Sequence, residues 1–300
     1  MRITVFCVGF IAAITVCTSL VLGQQPAMKV YISADMEGIG GVSTWAKQSS
    51  PKGADYEKFR RLMTLEVNAA VAGAIDAGAT YVLVSDSHWD AQNIDPELLD
   101  KRVELVRSWP RPLGMMEGID SSFAAAVFVG YHASEGYPTS ILAHTENGLS
   151  ILEVKLNGIA VPEAGINAAI AGEFGVPVVF VSGDQGIAEE CRKLLGPIET
   201  AVVKQALGFF GGIMVHPDES QRRIREGVKR GLDRRQQIRP YRLQRPVKLE
   251  IAFKDQVKAE LIAYLPGVDR PKGNTILVST KDMIEAAHYI QVFGFVNIPQ

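Results

Sequence analysis

Five residues of this chain have the types and placement to hold metal ions: Asp35, Glu37, His88, His132 and Glu163. Asp35 and Glu37 close the run Lys29-Val30-Tyr31-Ile32-Ser33-Ala34, which is β-branched and aromatic and reads as a buried strand. Side chains of a strand alternate faces, so two carboxylates two residues apart point the same way if the strand runs through them. Side by side they repel unless a cation or a shared proton lies between them. The plainer reading of the pair is an acidic turn after a strand. The pattern recurs at Asp86-Ser87-His88, after the strand-like run from Thr80 to Ser85, and at Gly130-Tyr131-His132, after the run from Ala124 to Val129. His144 follows a further apolar run, Ser140-Ile141-Leu142-Ala143. Glu163 stands behind Pro162 in the first turn of a predicted helix, where complementing the helix dipole is the alternative role. Carboxylates and imidazoles gathered from separate elements suit zinc, and several carboxylates allow one to bridge two ions. Two ions about 3.5–4 Å apart can clamp a water and a substrate carbonyl together.

Elements of regular structure must carry these side chains to one place. The spacing predicts a long amphipathic helix from Asp55 to Ala77, closed by Gly78, and so a right-handed βαβ unit joining the first two strands. Short strands are expected at Val103–Val106 and from Pro177 to Ser182, and a hairpin around Asn157-Gly158 after the alternating run Ile151–Leu156. Asp184 is expected to cap the next helix rather than bind a metal. Gly38-Ile39-Gly40-Gly41 is a flexible turn that lacks the spacing and lysine of a phosphate-binding loop. Met115-Met116 could line a pocket or fill the core. From about Phe209 the character changes: a basic, solvated helix from Pro217 to Arg235, a strand at Val247–Phe253, another at Thr275–Val278 and a closing helix from Lys281 to Val292. The expected fold is α/β, a mainly parallel central sheet with flanking helices in αβα layers and a smaller C-terminal α/β subdomain. The expected division is a metal-binding catalytic domain at 28–208 and a subdomain at 209–300. In an open α/β sheet ligands bind at the carboxyl ends of the strands, where Asp35, His88 and His132 fall.

Composition sets the limits. With 300 residues, 47% hydrophobic and 21% charged, the chain can bury a large core. A net charge of −2 gives no reason to expect nucleic acid or an anionic membrane as partner. Arg2, the apolar run Ile3–Leu22 and Gly23-Gln24-Gln25-Pro26 read as a signal peptide over 1–24, implying a periplasmic or secreted protein, with an uncleaved anchor as the alternative. Its removal leaves Cys191 as the sole cysteine, a buried apolar residue by its helical setting, so neither a disulfide nor a thiolate cluster is expected. His216 and His288 are assigned structural or surface roles.

The segments Ser33-Ala34-Asp35-Met36-Glu37-Gly38, Ser85-Asp86-Ser87-His88, Met116-Glu117-Gly118, Gly130-Tyr131-His132-Ala133, Ala143-His144, Glu163-Ala164-Gly165-Ile166-Asn167-Ala168 and Val203-Lys204-Gln205 together resemble the D-aminopeptidases of the DppA type, peptidase family M55. Their order and spacing carry the resemblance, which runs from Met28 to the C-terminus. It implies a binuclear zinc aminopeptidase acting on short peptides with N-terminal D-residues, often D-alanine. It further implies that Asp35 bridges both ions, that Glu37 and His132 complete one and His88 and Glu163 the other, and that His144 is catalytic. Rings of five stacked into decamers are the implied assembly. The loop Thr145-Glu146-Asn147-Gly148 departs from the family's pattern, so side-chain preference does not follow from the resemblance. Outside that resemblance, an exported amidohydrolase or phosphohydrolase, or a peptide- or metal-binding protein without turnover, would fit the same residues.

Overall fold

Strands that are apolar on both faces need cover on both sides, and this chain supplies it with helices. The structure is a computed structural model that describes residues 1, 3, 4 and 27–295; the expected export segment otherwise lies outside them. The chain begins β1 (Lys29–Ala34), α1 (Tyr56–Asp76), β2 (Tyr81–Asp86), β3 (Glu104–Val106) and β4 (Phe123–Val129). Next come β5 (Ile151–Leu156), β6 (Ile159–Ala160), α2 (Glu163–Glu173), β7 (Val178–Asp184), α3 (Gln185–Leu195), β8 (Glu199–Ala206), β9 (Gly212–Met214) and α4 (Pro217–Asp233). It closes with β10 (Val247–Phe253), α5 (Gln256–Ile262), β11 (Val268–Lys272), β12 (Thr275–Thr280) and α6 (Met283–Phe295).

The larger sheet has the order β3-β2-β1-β4-β7-β8-β9 and is parallel except for β9. From β1 the chain winds outward through β2 and β3, then returns to β4 on the other side. The order therefore reverses between β1 and β4, where an open sheet leaves a crevice at its carboxyl edge. Helices α1 and α4 pack on each other over this sheet, closely enough that a Cβ on Gly73 would lie 2.4 Å from the Arg225 carbonyl oxygen. The basic helix is solvated on its outer face, where Arg222 pairs with Glu219 and Glu226, while Ile224, Val228 and Leu232 are buried.

The smaller sheet is antiparallel, in the order β11-β12-β10-β5-β6. The expected hairpin is present, with Asn157 and Gly158 both at positive φ (51° and 84°). The expected division at residue 209 does not separate the two sheets. β5 and β6 pair into the smaller sheet from the middle of the chain, and β9 and α4 belong with the larger one. The hydrophobic alternation of β5 marks a half-buried strand but carries nothing about which distant strand will pair with it. The run before His144 is not a strand: Leu142 takes φ 57°, its N–H donates to the Phe209 carbonyl, and the Ile141 N–H donates to Asp184.

Candidate metal centre

Three neighbouring parallel strands bring the site together. Ala34 of β1 lies in register with Asp86 of β2 and Val129 of β4, so Asp35, His88 and His132 leave the same edge of the sheet side by side. Gly38 fixes the turn that carries Glu37. Its N–H donates to the Gly130 carbonyl at 2.7 Å, and a Cβ there would lie 2.0 Å from the Tyr131 carbonyl oxygen. Lys204, fully buried on β8, donates to the carbonyls of Glu37, Ile39 and Val42 and so pins the whole turn. Burial draws the Lys204 ammonium down to about 8, against the pull of Asp184, Glu66 and Glu37. Glu163 enters from the first residue of α2.

All five expected ligands converge. Asp35 presents Oδ1 to His88 Nδ1 at 3.2 Å and Oδ2 to His132 Nε2 at 3.3 Å. Glu37 Oε2 lies 2.8 Å from His88 Nδ1, and Glu163 Oε1 lies 3.4 Å from His132 Nε2. His144 Nε2 stands 3.7 Å from the same Glu163 oxygen. Asp35, Glu37 and His132 also gather within 4.8 Å, the set the resemblance implies for one ion. The second implied set is only partly matched, since the contacts group His88 with Glu37 rather than with Glu163. Donors sharing one tetrahedral zinc at about 2.0–2.1 Å stand about 3.3 Å apart, which is the spacing around Asp35.

Each imidazole is oriented by a backbone carbonyl, which can only accept. His88 Nε2 faces the Ser49 carbonyl at 2.7 Å, His132 Nδ1 that of Ala133 at 3.0 Å, and His144 Nδ1 that of Leu142 at 2.8 Å. The proton of each neutral ring is thereby spent outward, and a lone pair is left pointing at carboxylates. Trp45 does the same for Glu37, donating its indole N–H to Oε1 at 2.9 Å and leaving Oε2 toward the cluster. Buried Asp35 Oδ2, Glu37 Oε2 and His132 Nε2 consequently have no hydrogen-bond partner. Lone pairs facing carboxylate oxygens with nothing between them are unfavourable; divalent cations resolve the conflict, and the donor set is one that zinc takes.

The electrostatics agree. Burial, then repulsion from Glu37, raises the Asp35 carboxyl. Burial opposes ionisation of Glu37 and Glu163, yet His88 holds Glu37 well below the usual range and His132 holds Glu163 below it. Burial likewise opposes charge on the imidazoles, but Glu37 and Asp35 keep His88 well above its ordinary value, and Glu163 and Asp35 do so for His132. Without cations, bound protons supply the positive charge.

Asp184 caps α3 as expected, accepting from the Ile187 N–H, and its other oxygen holds the loop before His144 through Ser140 and Ile141. Met115 and Met116 are buried in the core, with the Met115 carbonyl accepting from Tyr31. Cys191 is a buried free thiol. His216 is exposed and accepts from the Asp218 N–H at the start of α4. Three neighbours of the site, Trp45, Phe209 and Phe210, carried no sequence signal, and a fourth, Glu146, stood out only within the loop that departs from the family's pattern. Trp45 sets its ring edge to His144, with centroids 5.6 Å apart, and also meets Phe209 and Phe210. Glu146 donates its N–H to Glu163 Oε1 at 2.6 Å, and burial, then Glu163 and Asp35, push its carboxyl up to about 8.

Residues 28–292 match the family described as D-aminopeptidase, Peptidase_M55. A D-aminopeptidase of Bacillus subtilis (strain 168) is 35% identical over 261 residues, 86% of this chain and 94% of that one. A solved structure described as the Zn-dependent D-aminopeptidase DppA from Bacillus subtilis, a self-compartmentalizing protease, superposes with a TM-score of 0.86. It is 32% identical, over 89% of this chain and 96% of the other.

Proposed function

The chain belongs to the D-aminopeptidase family Peptidase_M55 and is a metallo-aminopeptidase, and on that premise we propose that it is a two-zinc enzyme releasing D-alanine-type residues from short peptides. Asp35, Glu37, His88, His132 and Glu163 would hold the ions, with Asp35 bridging them. The observation that carries this reading is the orientation of the imidazoles. His88 and His132 turn one nitrogen to a carbonyl and the other into a single carboxylate cluster, whose atoms otherwise lack partners. When bound, zinc lowers the pKa of a water toward neutrality and polarises a carbonyl.

The protein's own part is to place and move protons. His144, with Nδ1–H fixed on the Leu142 carbonyl, keeps Nε2 free beside the cluster. It takes the proton of the attacking water at Nε2 and returns it to the leaving amine. Trp45 shields one side of this ring from water. Zinc content per subunit, beside hydrolysis of D-Ala-D-Ala and L-Ala-L-Ala, tests the reading. Two zincs, falling to about one in His88→Ala, with preference for the D-peptide, are expected. No bound zinc after loading, or turnover of phosphoesters in place of peptides, would overturn it.

The proposed assembly is the stacked pair of five-membered rings. It is supported by the self-compartmentalizing relative and by exposed Leu207, Phe209, Phe210 and Ile213 on the β8–β9 connection and β9. Light scattering of the purified protein tests it. Export rests on the leader sequence, and fractionation of expressing cells decides it.

A further inference from the structure

We propose that Glu146 is the anchor for the substrate's free α-ammonium group, the contact that makes this metallopeptidase act at chain ends; the proposal rests on the peptidase reading above. Glu146 follows His144 by two residues and is tied to the centre through its own backbone, N–H to Glu163 Oε1. Its φ of 60° lies in the left-handed region, which a glutamate adopts only when its surroundings impose it. Those surroundings are firm. Asn147 donates to the Gly294 carbonyl at 3.0 Å, and Lys254 donates to the Gly148 carbonyl at 2.7 Å. A Cβ on Gly148 would come within 3.0 Å of the His144 ring.

The backbone is thus held, while the carboxylate is left without a partner. Among the described residues no side chain or N–H donates to it, and no Lys, Arg or His lies within ion-pair distance. Glu163 and Asp35 act on it with like sign, against a weaker pull from His132. A half-buried carboxylate in a centre rich in other carboxylates is a seat that favours a cation. The five expected ligands would hold the ions. What a peptide with a free N-terminus adds is an ammonium with three donors, carried one bond from the carbon that bears the scissile carbonyl. A carboxylate on the residue whose N–H is bonded to Glu163 would hold that ammonium at the centre's edge. An internal peptide bond offers no such charge and leaves Glu146 unpaired, so chain ends are selected.

The test is the isosteric Glu146→Gln variant, with zinc content, thermal melting and kinetics measured together. D-alanyl-glycine is the substrate, and propanoyl-glycine, which lacks only the amine, is the competitive inhibitor. Two zincs and an unchanged melting temperature are expected, with KM for D-alanyl-glycine raised at least tenfold, kcat within threefold, and the propanoyl-glycine inhibition constant unchanged. An unchanged KM would overturn the proposal. So would a fall in zinc content, which would make Glu146 a sixth ligand. Wild-type protein that binds zinc but leaves D-alanyl-glycine intact would instead sink the underlying peptidase reading, and it is seen before any variant is made.

Discussion

His132 and His144 lie ring on ring, with centroids 4.0 Å apart and planes within 7° of parallel. Both turn Nε2 toward Glu163 Oε1, but His132 reaches it at 3.4 Å and also touches Asp35, whereas His144 stands back at 3.7 Å. Stacking holds the second imidazole against the cluster, where its donor atom gathers with those of His132 and Glu163 within 4.8 Å but stands farther from Glu163 than His132 does. His144→Ala should therefore keep both zincs and lose at least about 100-fold in kcat, the usual worth of a positioned acid–base group. Plasma mass spectrometry and steady-state kinetics on one preparation check both halves. Loss of metal would move His144 among the ligands.

Among the described residues, Asp35 alone presents its two oxygens to two different imidazoles. Asp35→Asn keeps its size and the bond its Oδ1 accepts from the Met36 N–H, but removes the charge that would serve both proposed ions. Loss of both zincs is expected, against loss of one from His88→Ala. Retention of one ion in Asp35→Asn would show that the carboxylate does not bridge.

Chelation should make stability depend on pH in a direction that the loaded protein does not share. In the cation-free fold His88 and His132 are held well above their ordinary value of 6.5. A raised imidazole contributes stability that is complete below about pH 6.5 and is lost as pH rises through the folded value. Glu37 and Glu163, held low, contribute above about pH 4.5 and fade as pH falls. In the loaded protein the imidazole lone pairs would already serve the metal. The gap in melting temperature between loaded and chelated protein should thus widen from pH 6.5 to pH 8.5. A constant gap by calorimetry would count against the arrangement.

Lys204→Met removes the ammonium shared by the carbonyls of Glu37, Ile39 and Val42 and leaves them buried without that donor. A destabilisation of at least about 2 kcal/mol is expected, from acceptors that lose their partner. Weaker zinc binding should accompany it, because Glu37 loses its support. Denaturant melts and zinc titration measure the two effects separately.

Much of the candidate cluster was legible because it obeys a local rule. Asp35, His88 and His132 each stand just beyond a buried strand, and parallel strands deliver the residues past their carboxyl ends to one edge. Glu163 was legible as an acid at a helix start, although only the fold shows its carboxylate turned into the cluster rather than merely facing a dipole. Trp45, Phe209 and Glu146 gave no such sign. They reach the centre through loops whose paths depend on contacts such as Asp184 with Ile141, between residues 43 apart in sequence. The two sheets escaped for a related reason. Periodicity reports which face of β5 is buried, whereas its partner β10 is chosen by three-dimensional packing.

Lys204 gives β8 influence over a centre it never touches. In the order β1-β4-β7-β8 it sits three strands from Asp35, yet its ammonium closes the turn that holds Glu37. Alternate residues of a strand face opposite ways, so a slip of one position against β7 would swing Lys204 out and leave the turn untied. Zinc uptake would then report on the pairing of the sheet. A molecule with β8 mispaired would hold Glu37 less firmly among the other candidate ligands and so take up metal less readily.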